Sequence, residues 1–261
     1  VGLAAGIFFF KSREEREHRA IFFFYTRTSS AHSGQINYLS WGIEMKLSNT
    51  VILGLACAAF VGNVVAQDEQ PAMGFFVTSV GIGNGADLGG LEGADAHCQA
   101  LAEAAGSTRT WAAYLSTKEE GRMDAVHAKD RIGAGPWHNA KGVVIAADMD
   151  ILHYDNSNIN YAMALNEMGY TVNSGGMSNS PNQHDILTGT NMNGTVVDAE
   201  DGTCSNWTSS SDGNAAVGHH DRFRGTTPGS SWNYVHMSRG CSQENLQASG
   251  GAGLFYCFAT D

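Results

Sequence analysis

Short apolar runs separated by long polar stretches dominate residues 74–261. Residues 75–80 (FFVTSV) read as a strand and lead into a glycine-rich turn, GIGNGADLGG. At Leu91 the period changes: Leu91, Ala94, Cys98, Leu101 and Ala105 recur at spacings of three and four, which predicts a helix that stops at Gly106. Strands are predicted over 110–116 and 141–147, a short polar helix over 124–128, and a second helix over 160–168. Residues 172–184, rich in Asn, Ser and Gly, read as an exposed loop. Short strands follow at 186–190, 203–208, 215–218 and 232–237. The chain closes on 253–260, where Phe255, Cys257 and Ala259 alternate onto one face. One main helix near the start, short strands and long loops predict an α+β domain over 74–261.

The residues before that domain have a different character. Lys46 follows Met45, residues 50–66 are apolar apart from Asn63, and the small side chains Val64 and Ala66 precede the polar start Gln67. That order is a secretory signal over 45–66, with 67–73 as a linker. The apolar stretch is shorter than the ~20 residues a membrane span needs. Residues 1–44 hold Phe8-Phe9-Phe10, a charged run from Lys11 to Arg19 and Phe22-Phe23-Phe24, with no period linking them. The expectation is a segment that is spurious or disordered.

Charge and cysteine count sharpen this picture. The formal charge is −11 for 261 residues, and residues 67–261 carry 9 Lys and Arg against 22 Asp and Glu, a net −13. An acidic chain of this kind is not expected to bind nucleic acid. Behind the signal remain Cys98, Cys204, Cys241 and Cys257. An even count in an exported chain predicts two disulfides, and spacing leaves three pairings open. A secreted location, extracellular or periplasmic, with no membrane span in the mature chain, is the expectation.

Three blocks carry a resemblance. The first is Gly90 to Cys98 (GLEGADAHC), continuing into Arg109 to Ser116 (RTWAAYLS). The second is Leu187 to Gly194 (LTGTNMNG), leading to Cys204 and Trp207. The third is Cys241 with the terminal strand that holds Cys257. Together they resemble the endostatin-like branch of the C-type lectin fold. That resemblance implies nested bridges, Cys98 with Cys257 and Cys204 with Cys241. It also implies a glycan-binding module, with Trp207, Trp232, Asn233 and Asn206 in the ligand-presenting region. The family's calcium-binding Trp-Asn-Asp is replaced by Trp232-Asn233-Tyr234, and Asn191-Met192-Asn193 stands near the usual Glu-Pro-Asn. Calcium needs six to eight oxygen ligands, so sugar binding is expected without it and without any other cofactor. A self-associating surface or matrix protein is the alternative. The formylglycine-generating enzymes share the fold, and Gly229 to Asn233 and Gly253 to Phe255 resemble two of their segments. Their reactive cysteine pair conflicts with two structural bridges, so no enzyme is expected.

Two further clusters draw attention. Asp148, Asp150 and Asp155, with Asn156 and Asn158, form an oxygen-rich stretch, but Leu152 interrupts the EF-hand spacing. They are weak calcium candidates, read first as a solvated loop start. His219, His220 and Asp221 suggest part of a metal site, yet adjacent histidines on a strand face opposite ways. With no zinc-type spacing beside them, no metal is assigned.

Overall fold

The computed structural model describes residues 70–261 apart from 154–156, 176–179 and 223–230, together with the backbone of three earlier strands. The chain divides into two units, Val1–Gln67 and Asp68–Asp261. In the first unit, β1 (Leu3–Phe10), β2 (His18–Ser29) and β3 (Ile36–Leu47) form an antiparallel meander. The runs Phe8–Phe10 and Phe22–Phe24 fall inside β1 and β2, where aromatic residues favour extended backbone. Met45, Lys46 and Leu47 of the expected signal lie in β3, and its remainder, 48–66, lies outside the described residues.

In the second unit, the strand with the densest apolar sequence organises the rest. Strand β11 (Gly251–Ala259) alternates Phe255, Cys257 and Ala259 with Leu254, Tyr256 and Phe258, and both sets are buried. The first set packs with Phe76, Trp111, Leu187 and Trp207, and the second with Phe75, Tyr114, Trp137 and Trp232. Phe258 alone meets the rings of Phe75 at 5.0 Å, Trp137 at 5.4 Å and Tyr114 at 5.7 Å. A strand apolar on both faces belongs inside a sheet, and β11 has partners on both edges. It runs antiparallel to β4 (Phe75–Val77) and β5 (Trp111–Ala113) and parallel to β8 (Asp185–Leu187). The sheet continues through β9 (Ala216–His219) to the two-residue edge strand β10 (His236–Met237). A separate hairpin pairs β6 (Trp137–His138) with β7 (Val144–Ala146).

Helix α1 (Gly90–Ala104) covers the first core, burying Ala94, Cys98 and Ala102. Cys98 bonds Cys257 and Cys204 bonds Cys241. Besides α1, the described residues hold α2 (Met149–His153), α3 (Cys204–Trp207) and α4 (Gln243–Ser249). The architecture is therefore α+β with small sheets and two disulfides.

Some predicted elements differ. Residues 124–128 are not helical: Val126 bridges Thr117, and a 3₁₀ turn follows at Ala128–Asp130. Residues 160–168 make turns, in which Asn160 accepts hydrogen bonds from the backbone of Met163 and Ala164. The helix in this part of the chain is α2, which starts earlier because Asp148 caps it, accepting from Ile151 N at 2.8 Å. Helix α4 has no counterpart in the apolar pattern, being only seven residues long with Leu246 its one buried residue. Its caps are nonetheless written in the sequence: the Ser242 side chain accepts from Asn245 N, and Gly250 closes the helix at φ 113°.

The largest difference is 203–208, expected as a strand. Cys204, Ser205, Asn206 and Trp207 instead wind left-handed, at φ 47°, 53°, 55° and 67°. Each non-glycine residue there costs roughly 1–2 kcal/mol. Offsetting contacts come from the disulfide at Cys204, the Thr203 cap on Asn206 N, and the Asn206 side chain, whose Oδ1 accepts from Lys118 N. Exposed Ser205 tests this balance. Ser205→Gly is expected to leave the melting temperature unchanged or raise it, and Ser205→Val to lower it, because β-branched side chains tolerate positive φ least. Equal melting temperatures for the two variants would contradict the left-handed turn.

Candidate functional site

The residues expected to meet a ligand are mostly interior. Trp207 is 0% exposed and donates its indole N–H to Ser116 O at 2.8 Å. Trp232 is 1% exposed and donates to Leu152 O at 2.9 Å. An indole without exposed surface cannot stack on a sugar, so both serve packing, as aromatic residues that bring large buried area commonly do. Asn233 is buried as well. Its Oδ1 accepts from Ser231 Oγ, and its Nδ2 donates to Tyr114 Oη, Asn191 O and Met192 O. Asn206, half-buried, bonds Lys118 O and Glu120 Oε2 and thereby anchors the left-handed turn. Of the weak calcium candidates, Asp148 caps α2, Asp150 lies within that helix beside an open groove, and Asp155 lies outside the described residues.

A different set of side chains converges. Register explains how. Partners across paired strands share a face, as do residues two apart along one strand. Asp185 of β8 lies opposite His219 of β9, Leu187 opposite Val217, and His236 of β10 opposite Val217. Asp185, His219 and His236 therefore project from one face of three neighbouring strands. His184, just before β8, stacks its ring on His219 with centroids 4.1 Å apart. Gly218, between Val217 and His219, lets the backbone at Trp232-Asn233 approach: a Cβ there would collide with the Trp232 carbonyl.

The result is a ring of imidazoles about one carboxylate oxygen. Asp185 Oδ1 lies 3.1 Å from His184 Nε2, 3.0 Å from His219 Nε2 and 3.5 Å from His236 Nε2. His219 Nε2 and His236 Nε2 are 3.3 Å apart. The Asp185 side chain is 2% exposed while that of His236 is 40% exposed, so the centre is buried at its carboxylate and open at one imidazole. Neither oxygen of Asp185 receives an aligned hydrogen bond. Behind the ring, Asp221 Oδ1 faces His184 Nδ1 at 3.4 Å, and Met237 O accepts from His236 Nδ1 at 3.0 Å.

Charge follows from this geometry. The Asp185 carboxylate, and after it Asp221, hold His184 up to about 9, and Asp185 also raises His236. Burial opposes ionisation of Asp185, but the surrounding imidazoles outweigh it and lower its pKa. His220, just past the end of β9, is buried, which lowers its pKa, and its Nε2 meets Asn173 O at 3.1 Å. His184, Asp185 and His236 carried no signal in the sequence, because nothing short of strand register places them beside His219.

A second polar group is closed off from solvent. His153 Nδ1 meets Met149 O at 3.0 Å, so that nitrogen carries the proton and Nε2 accepts from Tyr114 Oη at 2.6 Å. Burial raises the Tyr114 pKa and lowers that of His153, which keeps both neutral.

No protein-family model matches the chain, and a comparison with curated proteins gives no match.

His153 supplies a pH test. Its folded pKa lies below the unfolded value of about 6.5, so it contributes stability above that pH which is lost as the pH falls towards the folded pKa. Melting temperature is expected to decline below about pH 6.5, less steeply in His153→Gln, with His220 providing part of the remainder. Identical pH profiles for wild type and variant would contradict a buried neutral His153.

Proposed function

We propose that this chain is an exported, lectin-like binding module that meets a glycan without calcium. The observation that carries the reading is the disulfide pairing. Of three pairings open to four cysteines, the structure holds the one that the sequence resemblance implies, Cys98–Cys257 and Cys204–Cys241. Two buried bridges suit an oxidising compartment, and among the described residues no helix is long and apolar enough to cross a membrane. These four cysteines are bridged and supply no reactive thiol pair, which favours binding over the thiol chemistry of the related enzymes. With Trp207, Trp232 and Asn233 inside the core, recognition falls to groups that reach solvent beside them. Tyr234 is part-exposed and follows the buried Trp232-Asn233 directly. A phenol ring offers a face to sugar C–H groups, and its hydroxyl bonds those of the sugar.

A glycan array probed with the oxidised full chain tests this. The expected result is binding to a defined glycan class that is indifferent to added calcium and falls at least about tenfold in Tyr234→Ala. Trp232→Ala is expected to act differently, costing about 3–5 kcal/mol of stability as a large core truncation. A blank array, or binding only with calcium, would contradict the reading.

A further inference from the structure

We propose that His184, His219, His236 and Asp185 form a binding site for a divalent transition-metal ion of the zinc class. The inference rests on these donors alone and is independent of the glycan reading. Four ligands held tetrahedrally at about 2.0–2.2 Å from zinc stand about 3.3–3.6 Å from one another. The spacings here are 3.0, 3.1 and 3.5 Å from Asp185 Oδ1 to the Nε2 atoms of His219, His184 and His236, and 3.3 Å between His219 Nε2 and His236 Nε2. The donor atoms of His184, Asp185 and His219 all lie within 4.8 Å of one another. His184, Asp185 and His219 are thus drawn in to the spacing of a metal's ligands, and His236 stands beside two of them, Asp185 and His219, on the solvent side.

The second observation is the carboxylate itself. Asp185 is buried at 3% exposure, yet neither oxygen receives an aligned hydrogen bond from the imidazoles beside it. Buried carboxylates are ordinarily hydrogen-bonded, paired or bound to metal, because desolvating an unsatisfied charge is costly. The imidazoles around it bring their ring nitrogens close without an aligned hydrogen bond, and a cation among them would be shared by all of these donor atoms. The outer contacts agree. Met237 O can only accept, so it fixes the proton of His236 on Nδ1 and leaves Nε2 free to ligate. Asp221 faces His184 Nδ1 in the same sense. Such outer carboxylate and carbonyl partners orient ligating histidines.

Ligand chemistry selects the ion. Three imidazoles and one carboxylate suit zinc, cobalt, nickel or copper, whereas calcium asks for six to eight oxygens. The ion would also tie β10, which is held by only two residue pairs, to β8 and β9.

The test uses the oxidised full chain stripped of metal by dialysis against a chelator, then titrated with Co²⁺ and afterwards with Zn²⁺. The expected result is one site per chain showing the visible absorption of four- or five-coordinate cobalt, displaced by Zn²⁺, with a melting temperature that rises with free Zn²⁺. His236→Ala removes a part-exposed ligand and Asp185→Asn is nearly isosteric, so both are expected to keep the fold, checked by circular dichroism. Each should weaken Zn²⁺ binding at least about 100-fold, and Asp221→Asn about 10–100-fold. His97→Ala, at a half-buried histidine outside the cluster, should leave Zn²⁺ binding unchanged. No saturable Co²⁺ or Zn²⁺ site, or a site of undiminished strength in both His236→Ala and Asp185→Asn, would overturn the proposal. So would saturation by Ca²⁺ in place of Zn²⁺.

Discussion

Strand β11 has neither a free face nor, over most of its length, a free edge, and the second unit is arranged to satisfy that constraint. Alternating residues of one nine-residue strand feed two separate cores, so the elements on each side must close over it. Helix α1 closes one side and is bonded covalently to it through Cys98–Cys257. Trp137, Tyr114 and Trp232 close the other. The pairing partners arrive from distant parts of the chain, β4 and β5 early and β8 late. The disulfide restricts an unfolded chain that would otherwise close a loop of 159 residues to make these contacts.

The same constraint positions the histidine centre. Parallel pairing aligns Asp185 with Gly251 at the start of β11, and the Asp185 N–H donates to Gly250 O, the residue that ends α4. Once β8 is fixed there, β9 and β10 follow by antiparallel pairing, and register alone sets His219 and His236 beside Asp185. A carboxylate placed at that point is carried below the surface with its strand. The imidazoles that gather around it are the nearest groups able to compensate its charge, directly when protonated or through an ion they share with it.

The sequence made the local features readable. The spacing of Leu91, Ala94, Cys98 and Leu101 marked α1, and the alternation through Phe255, Cys257 and Ala259 marked β11, because each pattern reports burial on one face of one element. The Asp148 cap and the Ser242 and Gly250 caps were present in the same letters but sat on helices too short to show a period. The left-handed turn at Cys204–Trp207 could not be read from alternation, since its cost is met by a disulfide and by Lys118, far away in the chain. Trp207 and Trp232 stood out as candidate ligand platforms because exposure is not written in a tryptophan. Their indole N–H groups find carbonyls inside. The histidine centre was half visible: His219, His220 and Asp221 attracted notice, but the residues that complete it lie 34 positions before His219 (Asp185) and 17 after it (His236), joined only by strand register.

The sheet register thus buries one carboxylate among three imidazoles, an arrangement fit to hold a cation. Anomalous diffraction from crystals of the oxidised chain grown with Zn²⁺, measured on both sides of the zinc absorption edge, tests this most directly. The account predicts one dominant peak at about 2.0–2.2 Å from Asp185 and the Nε2 atoms of His184, His219 and His236. Zinc found only at exposed surface carboxylates or histidines, with the Asp185 centre closed on itself, would contradict it.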